Sequence, residues 1–468
     1  MLWLAIHFPS LPLEIFSRGS AVPEPLAVIE KQGNRSRVKV CNEAACARGV
    51  QPGMPGSAAQ ALVTNLIVRG RELAAEQESL AGLAFWAGSF TPAVSLQPPD
   101  GLLIEIGSCL RLHRGFRNLI ALMRSGLKEM GYSASLACSP TPHAAWLFAL
   151  AGKEVAIRDP DRIEEVLGIL SVRLLNQSQD TLESLEMVGA NTLGDCMRFP
   201  RAGMARRFGQ GLLDELDRAL GLLPEVREFF VPPPSFERRL ELPSQVHEAE
   251  ALLFASRHLL LELEGYLGLR QAGVQEFELV CSHEDVPDTV LKVGFAEPTR
   301  ALDRMLLLLR ETLGRTRLSA PVHTIMLHAS RIQDMELSNL DMFQDSAGKG
   351  DANLLLERLR IRLGKDAVFN IAPAADHRPE LAWRHCETGE ESVSPSKLQR
   401  PLWLLPKPMP CQKERLELKS GPERIESGWW DGMDVVRDYY VAQGRNGSRL
   451  WVFHDRSSGA WFVHGLFA

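Results

Sequence analysis

The sequence is poor in the groups that most often announce a function. It holds four tyrosines in 468 residues, and no CxxC or His-x-x-x-His pattern accompanies its eight cysteines. The nearest pair, Cys41 and Cys46, has no ligand spacing around it. That argues against a zinc centre and for reduced, mostly buried thiols in a cytoplasmic protein. No apolar run approaches the ~20 residues that a membrane span needs. The opening MLWLAIHF lacks a basic flank and a cleavage site, and reads as a first β-strand. Basic excess is missing too. Lys and Arg number 52 against 58 Asp and Glu, a formal net charge of −6, so contact with nucleic acid would rest on local patches.

What is present is an ordinary globular composition, 45% hydrophobic and 24% charged, long enough for three or four domains. The most informative stretch is Ser95–Gly107, SLQPPDGLLIEIG. A β-prone run over Thr91–Leu96, turn chemistry at Pro98-Pro99-Asp100-Gly101 and an apolar Leu102–Ile106 predict strand, tight turn, strand. Before it come an opening strand over Leu2–Phe8 and two β-prone runs, Leu26–Ile29 and Val38–Val40. Helices are predicted over Ser57–Leu66 and Glu72–Ala87, with Pro9 and Pro12 breaking the helix start near the N-terminus. After it come helix Phe116–Met130, strand Ser133–Cys138 and helix Pro142–Ala151.

The Ser95–Gly107 hairpin resembles a strand–turn–strand in the palm of Y-family (translesion) DNA polymerases. There a Ser-Ile-Asp-Glu-like run supplies two carboxylates for magnesium. Here the register gives Ser95, Leu96, Gln97, Pro98, an amide and a proline. The family's first strand carries an Asp-Met-Asp-like run, and its positions fall on Ala5, Ile6 and His7. The run from Cys41 to Met54 resembles the family's fingers segment, with Gly49 and Gly53 at a helix end and a turn. Its triphosphate-binding Tyr and Arg fall on Asn42 and Ala45. The Ala134–Pro140 run resembles the segment that precedes a phosphate-supporting Lys, but Pro140, Thr141, Pro142 and His143 stand there. Magnesium needs hard anionic oxygens, and an Ala cannot fork onto phosphate. The resemblance thus implies a palm with no catalytic residue at Ala5, His7, Gln97, Pro98, Asn42 or Ala45, no metal and no cofactor. A competing reading keeps an active polymerase with ligands relocated to Asp100, Glu105 and His7.

Residues Ser178–Leu222 read as a helical domain, with a helix–hairpin–helix-like run over Leu182–Asp195. Gly189 would let its backbone approach a DNA phosphate, with Arg201, Arg206 and Arg207 beside it. The proline-rich Val231–Pro234 marks a linker. A strand–helix–strand–strand–helix–strand order follows. It has strand Phe236–Leu242, helix Val246–Leu267, strands Gln275–Cys281 and Val290–Phe295, helix Ala301–Leu313 and strand Val322–Ser330. It resembles the family's second DNA grip, with Arg238 and Arg239 as DNA-binding candidates and Arg270, Lys292, Arg315 and Arg317 as weaker ones. Then comes Asn339-Leu340-Asp341-Met342-Phe343, similar to the peptide by which bacterial polymerases dock on the sliding clamp. Gln399, Leu402 and Trp403 form a second candidate. Helix Asn353–Leu363, strand Ala367–Ile371, an extended connector at Pro401–Pro410 and a three-strand C-terminal pattern complete the chain.

The expected fold is α+β, with a Y-family-like palm over 1–152 and a small fingers insertion at about 20–80. A helical thumb over 153–230, a βαββαβ little finger over 235–332, a linker over 333–410 and a C-terminal antiparallel β module over 411–468 are expected to follow. The resemblance implies a catalytically degenerate member of bacterial mutagenesis cassettes. It would act in damage-induced translesion synthesis with DNA, the sliding clamp, a RecA-like partner and an error-prone C-family polymerase. A DNA-binding repair factor independent of the clamp is the remaining alternative.

Overall fold

The computed structural model describes residues 1–17, 24–33, 35–335, 346–364, 367–386 and 400–467. The chain divides into two compact units, Met1–Ala347 and Gly348–Ala468. The first candidate docking peptide, Asn339–Phe343, lies outside the described residues, as does Gln399.

The first unit is built on a four-stranded antiparallel sheet. Its strands are β1 (Trp3–His7), β5 (Val94–Gln97), β6 (Gly101–Glu105) and β7 (Ser135–Ser139), in the order β5-β6-β1-β7. Residues two apart share a face, so each strand splits between two cores. Leu4, Ile6, Leu102 and Ile104 pack with α4 (Leu73–Ala87) and α5 (Phe116–Glu129) on one side. Trp3, Ala5, Leu103 and Ala137 pack on the other with α6 (Pro142–Leu150) and the helical domain behind it. Helix α1 (Leu11–Ser17) forms despite Pro12, because its first turn needs no amide donor there.

The insertion carries β2 (Leu26–Gln32), β3 (Arg35–Cys41), the one-turn α2 (Glu43–Cys46), α3 (Gly56–Leu62) and β4 (Ile67–Gly70). The sheet order is β3-β2-β4, with β4 parallel to β2. Helix α3 therefore ends four residues before the expected Leu66, and the chain turns into a strand. Gly49 and Gly53 have φ of +91° and +85°, as a helix end and a turn require.

Five helices follow: α7 (Ile163–Leu167), α8 (Gln179–Met187), α9 (Leu193–Arg198), α10 (Arg201–Phe208) and α11 (Gln210–Leu220). The next module is β8 (Phe236–Val246), α12 (Leu252–Arg270), β9 (Ala272–His283), β10 (Thr289–Thr299), α13 (Leu302–Leu313) and β11 (Val322–Asp334). Its antiparallel sheet runs β10-β9-β11-β8, and the element order matches the expected βαββαβ. Helix α12 begins six residues after the expected Val246, because β8 continues that far. It packs closely on α4: a Cβ on Gly265 would sit 1.8 Å from the Phe85 carbonyl oxygen.

The second unit holds α14 (Ser346–Leu363, most of it in this unit) and a two-stranded ribbon of β12 (Asn370–Pro373) and β13 (Trp383–Cys386). A five-stranded antiparallel sheet follows: β14 (Trp403–Cys411), β15 (Leu416–Ser427), β16 (Val435–Gly444), β17 (Arg449–Asp455) and β18 (Trp461–Leu466). Its order is β14-β18-β17-β16-β15. The expected connector at Pro401–Pro410 is thus an edge strand, where prolines need not donate to a ladder. Tyr439 and Trp451 are buried and stacked 4.2 Å apart, while Trp429 and Trp430 stand exposed.

Candidate functional site: the palm face and the thumb hairpin

The register places the expected metal positions in one row. His7 opposes Gly101 on β6, and Gly101 opposes Gln97 on β5. Ala5 opposes Leu103 two residues along, on the same face. No carboxylate stands in either row. His7 is buried, its ring edge-on to Trp146 with centroids 5.5 Å apart, and its Nε2 lies 3.7 Å from the Asp100 carboxylate. Trp146 takes the room over Gly101, where a Cβ would come within 2.2 Å of its ring. Gln97 Oε1 accepts a 2.5 Å hydrogen bond from Arg227, which also pairs with Glu225 at 2.9 Å. The same segment stacks Phe229 on Trp3 and donates the Phe230 amide to the Val94 carbonyl at 2.7 Å. The Gln97 amide thus faces the Arg227–Glu225 ion pair.

The relocated-ligand set does not converge. Glu105 opposes Trp3, four residues along the strand from the Gly101 row, which is roughly 13 Å. Its carboxylate is spent on the Leu2 and Gly107 amides and the Ser108 hydroxyl. Burial would raise its pKa, but those hydrogen bonds prevail and hold it below the usual range. Among the described residues no group of three His, Cys, Asp or Glu side chains is placed to hold a metal.

The fingers positions have become structural. Asn42 caps α2, its Oδ1 accepting from the Ala45 and Leu26 amides at 3.0 Å and its Nδ2 donating to the Glu24 carbonyl. Ala45 is fully buried, with no room for an arginine. The Pro140–His143 segment joins palm to thumb. Thr141 Oγ1 donates to the Ala219 carbonyl at 2.8 Å, and His143 Nε2 lies 3.4 Å from Glu215.

In the thumb, Gly189, the expected phosphate contact, sits at the end of α8 with φ +85°, and its amide is bonded to the Glu186 carbonyl. The Ala190 amide goes to Leu185, and the Asn191 and Thr192 amides go to the Asp195 carboxylate. The hairpin amides are therefore spent internally. The Thr192 hydroxyl and these amides hold Asp195 below the usual carboxylate range. Arg201 forks onto Asp217 at 2.9 and 2.5 Å. Arg206 and Arg207 stay exposed, Arg207 with its guanidinium 5.3 Å over the adjacent Phe208 ring.

Arg238, another expected contact, is buried, donates to Glu262 at 2.7 Å and to the Glu78 carbonyl at 2.8 Å, and ties β8 to α12 and α4. Arg239 is exposed beside Glu241 at 3.5 Å. Arg270 donates to the Pro234 carbonyl, and Lys292 pairs with Glu278. In the second unit Leu402 and Trp403 are 82% and 68% exposed, and the Trp403 backbone pairs with Leu466 in the edge strand. Sequence reasoning missed Arg227, which no motif marks.

Comparison with known proteins accords with this frame. Residues 21–149 match the model of the impB/mucB/samB family. Over 458 residues, 90% of this chain and 100% of the relative, the sequence is 27% identical to Protein ImuB of Caulobacter vibrioides. The sequence is thus similar to Protein ImuB along most of its length. DNA polymerase IV of Shewanella oneidensis is 27% identical over 204 residues, 42% of this chain and 57% of that protein. DinB from Sulfolobus solfataricus is similar over 70% of this chain and 98% of its own, at 17% identity and a TM-score of 0.41. The ImuB-like relationship spans the palm, thumb and βαββαβ module together, whereas the polymerase IV match covers less than half of the chain.

Proposed function

We propose that this chain is a non-catalytic, polymerase-like scaffold. It recruits an error-prone C-family polymerase to the sliding clamp and damaged DNA in SOS-induced translesion synthesis and mutagenesis. Its partners would be DNA, the clamp, that polymerase and an ImuA-type RecA-like protein, and its place the cytoplasm at the nucleoid. No helix among the described residues is long and apolar enough to cross a membrane.

One observation carries the reading: the His7–Gly101–Gln97 row holds no carboxylate, is covered by Trp146 and has Arg227 on its amide. Two-metal phosphoryl transfer needs carboxylates that bridge the ions. Gln97 is neutral, and its amide oxygen is already taken by Arg227. Docking would fall to the apolar Leu340, Met342 and Phe343 of the clamp-peptide-like run, with the exposed Leu402 and Trp403 as the second candidate.

The test pairs two assays on the purified chain. Primer extension with magnesium or manganese is expected to give no product, and clamp co-elution is expected to be lost when Leu340, Met342 and Phe343 are replaced by alanine. Metal-dependent extension by this chain would overturn the reading. Unchanged co-elution would move the docking peptide to Leu402–Trp403.

A further inference from the structure

The fingers insertion holds a feature that the scaffold reading does not use. Cys41 ends β3 and Cys46 ends α2, and their sulfurs lie 3.0 Å apart. Cys41 is half-buried and Cys46 exposed. Among the described residues no other two thiols are in hydrogen-bond contact. A disulfide bond spans ~2.05 Å, so these sulfurs need to close by about one ångström. The two ends are already aligned by independent contacts. The Cys41 backbone is paired with Ala27 across the sheet, and the intervening Asn42 caps the turn that carries Cys46.

We propose that Cys41 and Cys46 are a reversible dithiol, oxidised to a disulfide by hydrogen peroxide or an organic hydroperoxide. The exposed Cys46 reacts first. Its thiolate attacks a peroxide oxygen, the O–O bond breaks, and the departing oxygen leaves as water or an alcohol with a proton. Cys46 becomes a sulfenic acid. The Cys41 sulfur then attacks the Cys46 sulfur, the S–O bond breaks, and hydroxide leaves as water with the Cys41 proton. Two thiols lose two electrons in all, and one peroxide gains them. Burial, followed by the hydrogen bond shared with Cys46, pushes the Cys41 thiol up to about 12. That fits Cys41 as the second partner rather than the first, since the thiolate is the attacking form. The product would staple the end of β3 to the end of α2 across the Asn42 cap. In a reducing cytoplasm it is restored by thiol exchange.

The test uses the full-length protein, reduced, then exposed to hydrogen peroxide, alkylated and mapped as peptides without reduction. The expected product is one linkage, Cys41 to Cys46, two hydrogens lighter than the dithiol and reversed by dithiothreitol. In Cys41→Ser, Cys46 should pass on to the sulfinic acid. In Cys46→Ser, Cys41 should stay alkylatable. The wild-type map decides the question even if a variant folds poorly. Overoxidised Cys46 beside a free Cys41 in the wild-type protein, or linkage of either to a different cysteine, overturns the proposal.

Discussion

The palm face and the thumb hairpin are the two regions that the proposed function turns on, and they are built in different ways. In the palm row no carboxylate stands and the space is filled: Trp146 sits over Gly101, and Arg227 takes the Gln97 amide. In the hairpin the amides are turned inward to Asp195, Glu186 and Leu185, yet Arg206 and Arg207 remain in solvent. The difference teaches that the frame does not depend on the anions. The sheet is held by Leu4, Ile6, Leu102 and Ile104 behind and by Ala5, Leu103 and Ala137 in front. Both cores of the sheet are apolar, so neither rests on a charged group in the palm row.

The largest expected effect tests which arginines belong to structure and which to a surface. Arg238→Ala should destabilise the first unit by about 3–5 kcal/mol, because Glu262 would be left buried without its partner. Chemical denaturation checks this. A change below about 1 kcal/mol would return Arg238 to the class of exposed surface pairs.

Arg238 also marks how far the sequence is legible. The pair Arg238-Arg239 reads as a basic patch, and strand alternation says only that one of the two faces inward. That Glu262, 24 residues later, and the Glu78 carbonyl, 160 residues earlier, meet it is a fact of tertiary packing. The long helices, the largely apolar Leu73–Ala87 and the amphipathic Phe116–Glu129, are anticipated to within a residue or so. Strand β4 is missed, because four residues with two exposed carry almost no pattern. Strand β15 is missed because Gly421-Pro422 interrupts it, at a register shift between Ser420 and Glu423. The missing charges at Gln97, Pro98 and Ala45 can be read off the chain. Their replacements, Arg227 and Trp146, cannot, since neither lies near them in sequence.

Within the palm, Gly101→Val should cost about 1–3 kcal/mol, because the new side chain must displace Trp146. Primer extension should stay absent, and DNA binding by the folded protein should be unchanged. Stability equal to the parent would mean that the space over Gly101 is open and the face is not closed.

The hairpin glycine should behave differently. A Cβ on Gly189 meets nothing within 4 Å, so Gly189→Ala strains only the backbone at φ +85°. About 1 kcal/mol of stability is expected to be lost. DNA affinity should not change, because the Gly189 amide already serves Glu186. A large fall in affinity with intact folding would show that this turn does present its backbone to phosphate.

The smallest effect on stability, and the one that most directly separates the two regions, belongs to Arg206→Ala and Arg207→Ala. Both side chains are exposed and pair with no carboxylate among the described residues, so each change should stay within about 0.5 kcal/mol. On duplex DNA each should lower affinity uniformly across sequences and reduce the salt slope by about 1, as loss of one phosphate contact does. Arg201→Ala should do less to the slope, because Asp217 already neutralises that guanidinium. Fluorescence anisotropy across a salt titration measures all three. If the slopes are unchanged in Arg206→Ala and Arg207→Ala, the hairpin makes no phosphate contact, and the proposed contact with DNA must be sought on the βαββαβ module.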